Sequence, residues 1–176
     1  MLNRLNFDQL YKIIGDATPL PVDCGGLCGS LCCQEWEQGV GVYLLPGEQA
    51  FFTEQEAWCR VEKQSGEGPF FDGPTYMLHC RGKCPRARRP LLCRTFPLAP
   101  VVNAQGEISL VLDGDGWLIC PLVKLGDIQQ INKIFIKKVL MVWQLLAKHP
   151  GLLRYVEEYS VRFCGESKDK WRKLLK

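Results

Sequence analysis

Cysteine is the residue type in this sequence whose number and spacing point most directly to chemistry. Ten cysteines occur among 176 residues, and eight of them fall into an N-terminal cluster, a central cluster and one later position. These eight are Cys24, Cys28, Cys32 and Cys33, then Cys80, Cys84 and Cys93, and finally Cys120. Thiolates suit zinc, copper(I) and iron–sulfur clusters, whereas magnesium and calcium prefer oxygen ligands. We therefore predict that the eight cysteines ligate zinc or iron, with an iron–sulfur cluster as one form of the iron site.

The central cluster lies in a strongly basic segment. From Arg81 to Arg94 there are six cations and no acid. Metal ligation requires deprotonated sulfur, and nearby cations favour the thiolate. Four thiolates around one Zn²⁺, or around one four-iron cluster core of the same charge, leave a net charge of about −2 that the cations would partly offset. Contact of this segment with phosphate is an alternative, but the net charge is only +3 and no aromatic residue interleaves with the cations.

Other residues allow less specific interpretations. Cys59 and Cys164 have no cysteine neighbour and are predicted to be buried core residues in helices. A disulfide or redox-active set is an alternative for the clustered thiols, although the sequence has no C-x-x-C pair. His79 could be a further ligand beside Cys80, but a lone histidine on a strand is more often structural. Asp113-Gly-Asp-Gly116 is interpreted as a turn, because the twelve-residue calcium-loop frame is missing.

The composition is that of a globular protein, with 47% apolar and 23% charged residues. Its length fits one domain, which can bury roughly 70% of the surface of the unfolded chain. Asp8, Lys12 and Asp16 interrupt the apolar positions of the first twenty residues, and the longest apolar run of the C-terminal third, Val139 to Trp143, is too short to span a bilayer. We therefore predict a cytoplasmic protein without a membrane partner. In that reducing compartment clustered thiols more often ligate metal than form disulfides.

Periodicity and turn signals predict the elements that position the thiols. A helix over residues 3–14 precedes an irregular Gly/Pro-rich segment that carries the first four cysteines. Strands are predicted at 40–45, 75–80, 108–112 and 117–120, and further helices at 53–63, 127–148 and 151–163. Asp113-Gly-Asp-Gly116 is predicted to join the last two strands as a hairpin turn. This arrangement places Cys80 and Cys120 at strand ends and makes the C-terminal helices the scaffold that forms the core.

Two stretches carry a recognisable family pattern. They read Cys24-Gly-Gly-Leu-Cys28-Gly-Ser-Leu-Cys32-Cys33 and Arg89-Pro-Leu-Leu-Cys93-Arg-Thr-Phe-Pro97. The pattern resembles the YkgJ-like family of zinc- or iron-chelating proteins, in which a cluster ending in Cys-Cys precedes one ending Arg-Pro-x-x-Cys-Arg-x-Phe-Pro. The resemblance covers about residues 23–121 and implies metal chelation without an assigned reaction. The N-terminal gaps of three residues differ from the gaps of two in many members, so the sulfurs that share an ion stay open.

Flagellin lysine methylases have a similar cysteine cluster. That similarity implies an alternative, an iron–sulfur protein that acts in redox chemistry or as a component of a methyl-transfer enzyme. The sequence has no Gly-rich strand-to-helix turn for a nucleotide cofactor, and its cysteine spacing differs from that of radical adenosylmethionine enzymes.

These observations together predict an α+β fold, a single small irregular domain over residues 1–176 organised around cysteine-ligated metal. About residues 23–121 form the metal-binding region and about 127–164 the helical scaffold. A metal ion is the predicted partner, nucleic acid is not predicted, and no catalytic residue or reaction is assigned.

Overall fold

The structure is a computed structural model that describes residues 5–34, 40–52, 56–66, 68–70, 73–82 and 84–174, with side chains described as far as residue 163. It is a single small domain of the α+β class, as predicted. The helices are α1 (Phe7–Ile14), α2 (Gly25–Cys28), α3 (Leu91–Thr95), α4 (Pro121–Leu125), α5 (Lys133–Leu146) and α6 (Pro150–Leu174). The strands are β1 (Val42–Tyr43), β2 (Cys59–Lys63), β3 (Tyr76–Cys80), β4 (Leu98–Val102) and β5 (Ile108–Leu112). Among the described residues, no helix is long and apolar enough to cross a membrane.

Helix α5 forms the centre of the main hydrophobic core. Phe135, Val139, Val142 and Leu146 lie along one face of this helix at spacings of three and four residues, and all four are fully buried. Helix α1 and the β4–β5 hairpin pack against α5, and α6 packs against β4. Each large apolar side chain buried in this way contributes about 1.5–3 kcal/mol. The predicted role of the C-terminal helices as a scaffold is therefore confirmed.

The strands form two separate antiparallel sheets. The first has the order β1-β3-β2, and the second is the hairpin β4–β5. The hairpin turn spans residues 103–107 and begins at Asn103, whose Oδ1 accepts hydrogen bonds from the backbone N–H groups of Gln105 and Glu107. Gly106 adopts a left-handed φ of 80° in this turn, which a side chain would disfavour. The prediction that the hairpin turn lies at Asp113–Gly116 is therefore wrong.

The predicted helix over residues 53–63 is also wrong where the structure describes it, because Cys59–Lys63 is strand β2. Residues 53–55, which carry part of the helix-start pattern, lie outside the described residues. Side chains of β2 alternate between the two faces of the sheet, and the whole strand pairs with β3. A local capping pattern contributes about 1 kcal/mol, so pairing along a full strand can override it.

Two further boundaries differ from those predicted. The expected strand over residues 117–120 is a 3-10 turn at Gly114–Leu118, which is followed by α4. The long C-terminal helix begins at Lys133 because Asn132 caps it by accepting a hydrogen bond from Ile134 N at 2.9 Å. Asp127, the predicted start, caps only a short 3-10 turn. The last helix extends beyond Phe163 to Leu174.

Candidate metal centre

Six of the eight candidate cysteines line a single cavity of about 50 Å³. They come from three separate parts of the chain and are Cys24, Cys28, Cys32, Cys33, Cys93 and Cys120. Arg86, Arg89 and Arg94 line the same cavity. The volume exceeds the roughly 10–15 Å³ that one water molecule requires, so the cavity has room for a small ligand. Cys120 and Leu122 in the cavity wall also belong to the main hydrophobic core.

A pair of tight turns positions the N-terminal cysteines. Cys24 is the residue before α2, and Asp23 Oδ1 accepts a hydrogen bond from Gly25 N at 3.1 Å. After α2, Gly29 and Ser30 both adopt left-handed φ values, 61° and 58°, which reverse the chain. A Cβ at Gly25 would lie only 2.4 Å from Ser30 Oγ, so any larger residue there would require the Ser30 hydroxyl to rotate away. The reversal brings Cys32 and Cys33 back beside Cys24 and Cys28 at the cavity wall.

A chain of sulfur contacts links the two clusters. The Sγ atoms of Cys32 and Cys33 are 3.8 Å apart, and Cys33 and Cys84 are close enough that each thiol shifts the pKa of the other. Arg89 Nε donates to Cys84 Sγ at 3.2 Å. Two thiolates on one tetrahedral zinc, with Zn–S bonds of about 2.3 Å, lie about 3.8 Å apart. The adjacent cysteines therefore have the separation expected of two ligands of one ion.

The thiols differ in acidity because they differ in hydrogen bonding and burial. Cys33 donates a hydrogen bond to Cys32 and thereby lowers the pKa of Cys32. The pKa of Cys33 rises because its proton is held by Cys32, and the pKa of Cys84 rises because its proton is held by Cys33. Desolvation by burial raises the pKa of Cys93 well above its usual value. At neutral pH most of these thiols are therefore protonated, so metal ligation would have to release protons.

Arg94 holds the chain around the cavity by contacts to backbone carbonyls. Its three guanidinium nitrogens donate to the carbonyl oxygens of Arg89, Gly15 and Ala87 at 3.1, 3.2 and 2.7 Å. The guanidinium carbon also lies 4.7 Å from the centre of the Tyr11 ring. This side chain ties the end of α1 to the basic segment. Sequence reasoning identified Arg94 as a charge and as part of the family pattern but not its contacts with the backbone, because a contact over this sequence separation leaves no local pattern.

Glu48 fixes the start of α3, the helix that carries Cys93. Its side chain is fully buried. One carboxylate oxygen accepts hydrogen bonds from Tyr11 OH at 2.6 Å and Leu91 N at 2.7 Å, and the other accepts from Leu45 N at 3.0 Å. Burial raises the pKa of Glu48. Sequence reasoning missed this residue, since a glutamate after Pro-Gly gives no sign of burial.

Two candidate ligands lie outside the lining of the cavity. Cys84 adjoins it through its contact with Cys33, whereas Cys80 lies at the end of β3. Both ring nitrogens of His79 face groups other than the clustered thiols. Its Nδ1 lies 3.1 Å from Val40 O, and its Nε2 lies 3.4 Å from Glu62 Oε2. Asp113 is not part of this region and accepts a hydrogen bond from Tyr159 OH at 3.0 Å.

Cys59 is buried, as predicted, but lies on a strand rather than a helix. The backbone of Cys164 is in α6, as predicted, and its side chain lies outside the described part of the structure.

Within the described ranges, no three or more side chains of His, Cys, Asp or Glu are already arranged to hold a metal ion. The nine cysteines with described side chains are free thiols. Comparison of the chain with family models, with curated proteins and with solved structures finds no match in any of the three.

Proposed function

We propose that this protein binds zinc or iron through the cysteines around the cavity. The observation that carries the proposal is the convergence of six cysteines from three chain segments on one cavity, next to three arginines. A cysteine that serves only as a small core residue gains nothing from a neighbouring guanidinium. A thiolate bound to metal does, because the cation offsets its negative charge. Cys32 is exposed and its pKa is lowered, so it is the first thiol to offer a metal a thiolate.

A zinc site is supported by the 3.8 Å separation of Cys32 and Cys33. In this form Cys32, Cys33 and Cys84 would bind one zinc ion. A further thiol from the cavity wall would be the fourth ligand after rotation of the side chains. The protein would then be a binding or structural metalloprotein without a reaction of its own, in the cytoplasm.

An iron–sulfur cluster is the second candidate, and a different observation favours it. More than four cysteines line the cavity, yet no three described side chains already surround one point. In a multi-iron cluster each thiolate binds its own iron, so its ligands form a wider ring than those of a single ion. This form would make a role in redox chemistry, or in methyl transfer as the similarity to flagellin lysine methylases implies, the better hypothesis.

The experiment is purification without oxygen followed by metal and sulfide analysis and a visible spectrum. Zinc would give a colourless protein with about one or two ions per chain, at four ligands per structural ion. Iron with equivalent sulfide would give a brown protein. A chain that binds neither metal, even after reconstitution, would contradict the proposal.

Variants identify the ligands. Cys28→Ser, Cys84→Ser and Cys93→Ser should each lower the metal content, because each removes a clustered thiol. Cys59→Ala is the control and should retain it, since Cys59 lies in the small core beside the first sheet and is not one of the eight clustered cysteines. Full metal retention in all three serine variants would refute the assignment of the cysteines.

A further inference from the structure

Cys59 and Cys80 lie directly opposite each other on β2 and β3. Next to this pair, Arg81 N donates to Trp58 O at 2.7 Å. In an antiparallel ladder, hydrogen-bonded and non-hydrogen-bonded pairs alternate. Because Trp58 and Arg81 form a hydrogen-bonded pair, the neighbouring Cys59 and Cys80 form a non-hydrogen-bonded pair, in which Cα atoms are about 4.5 Å apart. A disulfide spans Cα separations of about 4.4–6.8 Å. The backbone therefore holds these two cysteines at a distance that a disulfide can bridge.

Both side chains are on the same face of the sheet. Cys59 is only 4% exposed and belongs to a small core with Leu44, Phe52 and Leu78. Cys80 packs against that core and is itself half-buried. The Cys80 thiol also interacts electrostatically with Cys84 and Cys93. Cys80 thus lies between the thiols of the candidate metal centre on one side and Cys59 on the other.

We propose that Cys59 and Cys80 are a redox pair that forms a reversible disulfide by exchange with a small-molecule disulfide such as oxidised glutathione. The second half of the inference rests on the proposed function: the disulfide withdraws Cys80 from the set of thiols available to the metal. The protein would then bind metal less firmly under oxidising conditions.

The exchange has two balanced steps. The Cys80 thiolate, on the more exposed side of the pair, attacks one sulfur of oxidised glutathione, and the first glutathione leaves as a thiolate. The Cys59 thiolate then attacks the Cys80 sulfur of the mixed disulfide, and the second glutathione leaves. The two protein thiols lose two electrons and two protons, and the two glutathione thiols gain them.

The first test uses the metal-free, full-length chain treated with oxidised glutathione and then with an alkylating agent. Trypsin together with a glutamate-specific protease releases Cys59 on residues 57–60 and Cys80 on residues 68–81, each without another cysteine. Mass spectrometry should find these peptides linked, with the loss of two hydrogens. Alkylated Cys59 in the oxidised wild-type protein, or Cys80 linked mainly to another cysteine, would overturn the inference whatever the variants do.

Two variants serve as a matched pair. Cys59→Ala should abolish the linked peptide completely and leave Cys80 as its glutathione adduct. Cys164→Ser removes a cysteine elsewhere and should leave the link at its wild-type yield. Loss of the link in both variants would contradict a specific pair.

A second arm tests the effect on metal. In wild-type protein loaded with zinc or iron and held in glutathione buffers, metal should be released as the link appears, and Cys59→Ala should require a higher proportion of oxidised glutathione, because its Cys80 adduct lacks the second, intramolecular step. Release of metal at the same proportion of oxidised glutathione in both proteins would refute withdrawal of Cys80 by the link. A chain that forms the link but never binds metal would refute the proposed function and leave the redox pair established, so the two failures are distinguishable.

Discussion

Replacement of Glu48 tests whether a buried carboxylate organises the region behind Cys93. The side chain is fully buried and accepts three hydrogen bonds, from Tyr11 OH, Leu45 N and Leu91 N. Glu48→Ala would leave three donors without their acceptor. Each buried donor left unsatisfied costs about 1–3 kcal/mol. Because the half-buried Tyr11 hydroxyl can turn toward water, we expect a total loss of about 3–6 kcal/mol of unfolding free energy.

Glu48→Gln separates hydrogen bonding from packing, since it keeps the shape and one acceptor oxygen. The oxygen can serve Tyr11 and Leu91, but the amide NH₂ then faces Leu45 N, donor against donor. We expect a loss of about 1–3 kcal/mol. Tyr11→Phe, which removes one donor and leaves the others paired, should cost about 0.5–1.5 kcal/mol.

The assay is urea unfolding at neutral pH. The unfolding free energies can be compared when every variant has the same slope of free energy against urea concentration. Since small domains have a total stability of about 5–15 kcal/mol, Glu48→Ala would remove a large share of it. The reasoning is refuted if Glu48→Ala falls within about 0.5 kcal/mol of wild type, the range of ordinary surface substitutions. It is also refuted if Tyr11→Phe costs more than Glu48→Ala.

Further predictions concern pH, charge and metal. Because burial raises the pKa of Glu48, its protonation stabilises the fold below the ordinary value of 4.5, and this contribution is lost as pH rises through the raised pKa. Relative to Glu48→Gln, wild-type stability should therefore fall from acid to neutral pH in unfolding titrations. Arg94→Lys keeps the charge but not the fork that serves three carbonyls, and should cost about 1–3 kcal/mol and lower the metal content. A strong chelator should lower the melting temperature of metal-loaded protein, since metal bound only to the folded state stabilises it; an unchanged temperature would contradict this. Binding to DNA or RNA should be weak at physiological salt in a titration, and tight sequence-selective binding would reverse that prediction.

Elements with a strong period were predictable from the sequence, and elements set by distant partners were not. The stripe from Phe135 to Leu146 and the alternation of Ile108–Leu112 identify a helix and a strand from the spacing of apolar residues alone. Strand β2 was missed because its partner β3 decides its conformation. Strand β4 has two apolar side chains on either side of a proline, Leu98-Ala-Pro-Val-Val102, which is a poor local signal for a strand.

The candidate site follows the same division. Cysteine type and clustering selected eight residues, of which six line the cavity, because thiol chemistry belongs to the residue itself. Their geometry depends on Arg94 and Glu48, whose roles come from contacts with Gly15 and Leu91 in other parts of the chain. Ligation by these cysteines stays a prediction until metal is measured.

The wide separation in sequence of the cavity cysteines has a consequence for synthesis on the ribosome. Cys33 emerges long before Cys120, and at about 5–20 residues per second the chain between them takes roughly 5–20 s to make. Until the basic segment has also been made, the four N-terminal thiols are available to metal or oxidants without its cations beside them. A metal captured then would be held by a partial ligand set from one local loop. If the cavity binds metal as proposed, correct loading would have to follow the synthesis of Cys120, and the order of folding and metal binding would become a property that the cell has to control.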